Sequence, residues 1–159
     1  MQVVLLAVGR LKNGPERELC ARYAERFMRS GRGVALDLVI REIDESGAKR
    51  AADRQHDEAR LIAAACPTDA ALIAWDERGK ALTSAAFAAE LGSRRDQGQR
   101  GIAMAIGGAD GLSPALRDKA ALVLSFGRLT LPHQLARVLL LEQLYRAASI
   151  MAGHPYHRE

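Results

Sequence analysis

The 159 residues are 48% hydrophobic and 26% charged, which fits one soluble domain with its own core and leaves no room for two ordinary ones. No segment approaches the roughly 18 uninterrupted apolar residues of a bilayer span, and Cys20 and Cys66 stand alone, as reduced structural cysteines rather than a disulfide or metal site. The net charge of +4 and pI near 9.4 suit an anionic partner without naming it, and the 19 Arg against 4 Lys fit phosphate contacts or a codon bias equally.

The first apolar run, "VVLLAV" (3–8), has no basic stretch before it and no cleavage site after it, so it reads as a strand and a cytoplasmic location is expected. A helix follows over 15–30, opened by Pro15, and a second strand, "VALDLVI", over 34–40. A helix at 52–66 contains the charged segment "DRQHDEAR", whose His56 reads as a solvated side chain. Then come a strand at 71–75, a helix at 83–97 capped by Thr83 or Ser84, and a strand at 102–106. A short helix at 113–119, a strand at 121–125 and a long helix from Pro132 to about Ala152 complete the chain. Strands alternating with helices predict an α/β fold with a mostly parallel sheet covered on both faces. The last helix is apolar over too broad an arc for one sheet face, with only Arg137, Glu142, Gln143, Arg146 and Ser149 as a polar strip. A second buried contact is expected, and a homodimer is its simplest supplier.

In such a sheet, ligands bind beyond the carboxyl ends of the strands. Three loops fall there: "WDERGK" (75–80), "IGGADGL" (106–112) and "FGRLTLPHQ" (126–134). The chain lacks the glycine patterns of dinucleotide and triphosphate loops and the elbow of a serine hydrolase. Asp76 ends its strand as a phospho-acceptor would, but Gly9-Arg10 and Gly127-Arg128 stand where a receiver needs its acidic pair and lysine. His133, beside the third loop, is the best placed of the internal histidines. From Arg10 to Arg32 there are seven basic and three acidic residues, a net +4, and Arg22, Arg26 and Arg29 share one helix face. That face reads equally as a solvated surface or a phosphate-binding patch.

"IGGADGL" followed by "LSFGRLTLPHQLARVLLLEQLYRAASIMAGHPYHRE" resembles the RlmH family of SPOUT methyltransferases, and the likeness runs over essentially the whole chain. The resemblance implies a single SPOUT methyltransferase domain over 1–159 with a C-terminal trefoil knot, homodimeric, without a metal. It implies methylation of N3 of a pseudouridine in 23S ribosomal RNA, on the assembled 70S ribosome, with S-adenosylmethionine as methyl donor. The family's cofactor contacts fall here on Trp75, Gly107 and the run Phe126, Gly127, Arg128, Leu129, Thr130 and Leu131. Trp75 is a large aromatic where an aliphatic residue is common. Attack by N3 needs removal of its proton or stabilisation of the anion left on the ring, and the terminal His154, Tyr156, His157 and Arg158 carry chemistry of that kind. The tail is therefore expected to fold over the cofactor loop, within its own chain or across a dimer. The rival readings are a knotted methyltransferase with a tRNA target and a non-catalytic ribosome-binding factor.

Overall fold

The computed structural model describes residues 1–156. Its first strand, β1 (Gln2–Val8), is apolar on both faces, as a strand covered from both sides must be. Val3, Leu5 and Ala7 enter one core, whereas Val4, Leu6 and Val8 enter a second. The chain continues as α1 (Pro15–Arg32), β2 (Asp37–Ile43), α2 (Ala51–Ala65), β3 (Ala70–Ala81), α3 (Ser84–Asp96), β4 (Gly101–Ile106), α4 (Pro114–Lys119), β5 (Leu122–Ser125) and α5 (His133–Met151). All strand pairings are parallel, in the order β2-β1-β4-β3-β5. The α/β reading of the sequence holds. Since β2 and β3 are not neighbours, nor β4 and β5, two connections cross other strands, and the carboxyl edge acquires the switches in order where ligand crevices form.

Helices α1, α3 and α5 cover one face, with Phe27, Phe87, Leu91, Leu140, Leu141 and Leu144 in its core; α2 and α4 cover the other through Ile62 and Leu116. Helix α5 lies between α1 and α3 and buries Val138, Leu140, Leu141, Leu144, Ala147 and Ala148. The breadth assigned to a second copy is thus met within one chain, against the sheet and two helices. Leu135 and Leu139 keep 42% and 38% of their surface exposed. The expected polar strip is also narrower than read, because Arg137 and Ser149 are buried.

Two strand boundaries differ from expectation for reasons that lie in the backbone. Strand β2 begins at Asp37 rather than 34, because α1 runs on to Arg32 and a tight turn follows, with the Leu36 N–H donating to Gly31 O at 2.8 Å and Ala35 at φ 55°. Strand β3 does not stop at Trp75. It pairs with Leu124 at Trp75, leaves the ladder, and pairs with Leu124 again at Lys80 before reaching Ala81. "WDERGK" is therefore an excursion inside a strand rather than a terminal loop.

Candidate active site

The glycine segment after β4 folds back on itself. Gly108 and Gly111 form an antiparallel bridge, the Gly111 N–H donates to Gly108 O at 3.1 Å, and Gly111 sits at φ 75°. At Gly107 a Cβ would stand 2.5 Å from the Gly111 carbonyl carbon and 2.7 Å from Leu112 N, so only glycine fits. After β5, Ser125 Oγ donates to Gly127 O at 2.6 Å and accepts from Gly127 N–H at 3.0 Å. Gly127 adopts φ 126°, again a glycine conformation. Ser125 is thereby a hinge of the loop rather than a nucleophile.

These two segments and the β3 excursion enclose a cleft of about 240 Å³ at the carboxyl edge of the sheet. Trp75, Gly107, Phe126, Gly127, Leu129, Thr130 and Leu131 line it, and Arg128 does not. His133, at the start of α5, joins the lining with Ala136 and Ile106. Trp75 stacks on Phe126 at 4.2 Å and meets the edge of Phe87 at 5.6 Å, so this large aromatic is absorbed by packing behind the cleft.

Polar links fasten the loops to one another and to the elements beside them. Arg117 Nη1 donates to Leu112 O and, at 3.1 Å, to Asp76 Oδ2, while the Arg78 N–H donates to Asp76 Oδ1 at 3.0 Å. The carboxylate of Asp76 is thus committed to structure. Arg54 binds Asp110 in bidentate fashion at 2.7 and 2.9 Å, and Gln55 Nε2 donates to Asp110 O at 2.6 Å. The hydrogen-bonded guanidinium of Arg54 holds the Asp110 carboxyl below its usual range. The third loop joins the first where Thr130 Oγ1 donates to Glu77 Oε2 at 3.1 Å. At the end of β1, the buried Arg137 donates to Glu42 Oε1 at 2.7 Å, Gly9 O at 2.7 Å and Val8 O at 3.2 Å.

The described residues of the tail, 154–156, are not part of the cleft lining. The His154 N–H donates to Ser149 O at 2.9 Å, and the His154 side chain is exposed. The Tyr156 ring sits 4.5 Å from Tyr145, and its hydroxyl donates to Glu142 Oε1 at 3.3 Å. His157 and Arg158 lie outside the described residues. Tyr156 thus folds back against the middle of α5, and none of residues 154–156 lines the cleft, which meets that helix at His133 and Ala136.

The family model described as "Predicted SPOUT methyltransferase" matches residues 1–157. The chain belongs to the SPOUT methyltransferase family. It is 57% identical to the ribosomal RNA large subunit methyltransferase H of Rhodopseudomonas palustris, and 53% to that of Rhizobium leguminosarum bv. trifolii, each over 99% of both chains. A probable methylase family protein from Haemophilus influenzae shares the fold, with a TM-score of 0.53 at 12% identity, covering 99% of this chain and 70% of that one. Among the described residues of this methyltransferase, no group of three His, Cys, Asp or Glu is placed to hold a metal ion, and no helix is long and apolar enough to cross a membrane.

Within this SPOUT chain, the residues that sequence reading missed are the fasteners. Arg54, Gln55 and Glu58 belong to the charged segment around His56, which is exposed as read. Glu58 is buried, and its Oε2 has no partner among the described residues. Burial raises its pKa, opposed by the Ser46 N–H that donates to Oε1 at 3.2 Å, and a Cβ on Gly108 would lie 3.2 Å from Oε2. A raised native pKa means that the folded state keeps a proton the unfolded chain releases, so stability falls as pH rises from the ordinary glutamate range through the raised value. Glu58→Gln is expected to be more stable than the parent at neutral pH and to lose that advantage in acid. Urea unfolding between about pH 4 and pH 8 checks this; a parent and variant with parallel pH profiles would contradict it.

Proposed function

We propose that this protein methylates N3 of a pseudouridine in the 23S RNA of the assembled ribosome, with S-adenosylmethionine as donor. The relatives named ribosomal RNA large subunit methyltransferase H support the RNA substrate. The observation that carries the cofactor assignment is the cleft where three loops converge, two of them presenting glycine backbone without side chains. Such a wall suits a flat adenosyl group held by main-chain N–H and C=O groups. The residues fit the cofactor: Gly107, Phe126, Gly127, Leu129, Thr130 and Leu131 would hold it, with Trp75 packed behind. Bound there, S-adenosylmethionine supplies an electrophilic methyl group on a sulfonium. The single domain, a cytoplasmic location and the knotted chain belong to the same reading.

The protein's own task is to bring N3 into line and deal with its proton. His154 is the group proposed to take the proton, Arg158 the one to stabilise charge on the ring, with Tyr156 and His157 contacting the base. Since Tyr156 rests on Tyr145 and Glu142 and none of residues 154–156 lines the cleft, the tail acts in this account at the cleft of a second copy. Exposed Leu129, Leu135 and Leu139 support a homodimer, Leu129 from the cleft lining and the leucine pair from the α5 turns beside it. Loss of a general base lowers rates by about 10² to 10⁴. His154→Ala and Arg158→Ala are therefore each expected to reduce methyl transfer to undermethylated ribosomes at least about 100-fold, with cofactor binding and dimer mass unchanged. Parental rates in both would remove the tail from the mechanism, and absence of S-adenosylmethionine binding in calorimetry would favour a non-catalytic ribosome-binding factor.

A further inference from the structure

We infer that the exposed arginine face of α1, joined to the terminal segment by a ladder of tyrosines, is a docking surface for RNA phosphates. This rests on the RNA substrate proposed above and adds where the nucleic acid lies. Arg22, Arg26 and Arg29 are exposed at i, i+4 and i+7, so they form one row along the helix. Arg29 is paired with Glu25, whereas Arg22 and Arg26 have no carboxylate partner among the described residues. The guanidinium of Arg26 stands 5.8 Å from the ring centres of both Tyr23 and Tyr145. Tyr145 lies 6.4 Å from Tyr23 and 4.5 Å from Tyr156, over which Arg146 sits at 5.0 Å.

Held against two rings, the Arg26 guanidinium loses rotamer freedom before any ligand arrives while its N–H edge stays open, so less entropy is lost when a phosphate binds. Glu142 does not spoil the surface, because it is already bound to Arg146 and to the Tyr156 hydroxyl. The ladder also fixes direction, since it runs from the middle of α1 to the terminal segment proposed to meet the target base. An RNA loop whose flanking phosphates lie along α1 would therefore deliver its base toward that segment.

The test is binding to ribosomes purified from a strain lacking the protein, measured over a salt series for full-length dimers. Arg22→Gln/Arg26→Gln/Arg29→Gln is compared with Lys49→Gln/Arg50→Gln/Arg60→Gln, which removes equal charge from exposed positions at α2, on the opposite face of the sheet. Loss of two to three phosphate contacts is expected to lower the slope of log affinity against log salt by about 2 to 3, and to weaken binding at least about tenfold at low salt. The α2 variant is expected to stay within about twofold of the parent, since its charges lie off the contact surface. Equal losses in both variants, or parental binding by the α1 variant, would overturn the inference while leaving the methyltransferase reading in place. A change of dimer mass with unaltered ribosome affinity would assign the face to contact between copies and overturn it too. Failure of the parent protein itself to bind ribosomes would remove both readings.

Discussion

Gly79→Ala is expected to lower the stability of the fold by about 3 kcal/mol or more, the upper end of what overpacking costs. A Cβ there would lie 2.4 Å from the Leu124 carbonyl carbon, 2.5 Å from its oxygen and 2.7 Å from its nitrogen. All three are backbone atoms, and Leu124 is 1% exposed in a parallel strand, so nothing at the contact can swing aside. Gly79 lets β3 rejoin β5 after its excursion, and the excursion supplies one wall of the cleft. For a chain of this size, about 3 kcal/mol corresponds to a fall in Tm of about 6 to 12 °C. Calorimetric melting of the variant checks this, and a Tm within about 2 °C of the parent would show that the two strands separate more easily than their packing implies.

The second large effect is expected at Gly107. Alanine there meets Gly111 and Leu112 backbone at 2.5 to 2.9 Å, so either the Gly108–Gly111 turn opens or the end of β4 shifts. Both moves displace the backbone that lines the cleft. The turn is braced from outside by Arg54, Gln55 and Arg117, which makes small compensating motions costly. Displacement of reacting groups by about 1 Å costs on the order of 100-fold in rate, and a loss of at least about tenfold in cofactor affinity, about 1.4 kcal/mol, is expected with it. Titration calorimetry with S-adenosylmethionine and single-turnover methyl transfer check the two parts. Parental affinity in a folded Gly107→Ala protein would move the cofactor away from this loop.

The difference between these glycines marks what the sequence discloses. Gly107, Gly108 and Gly111 stand after an apolar run and announce a turn at the carboxyl edge, so the loop could be located from local pattern alone. Gly79 sits in "WDERGK" and looks like any loop glycine; its reason is a strand about forty-five residues further on, which no window along the chain contains. The fasteners are hidden in the same way. Arg54 reaches Asp110, Arg117 reaches Asp76 and Arg137 reaches Glu42, separations of 56, 41 and 95 residues, and in a chain with 19 arginines none stands out. The breadth of α5 was visible in its residues, but apolar breadth states only that something covers a surface. Here α1 and α3 cover most of it. The packing of Tyr156 on Tyr145 and Glu142 of the same helix is likewise a relation that residue types could not disclose.

The most direct measurement is transfer of isotopically labelled methyl from S-adenosylmethionine to ribosomes of a strain lacking the protein, followed by mass mapping of the large-subunit RNA. One labelled pseudouridine, methylated at N3 and absent when Gly107→Ala replaces the parent, is the predicted result. Label that enters no large-subunit RNA, or enters tRNA in its place, would contradict the assignment.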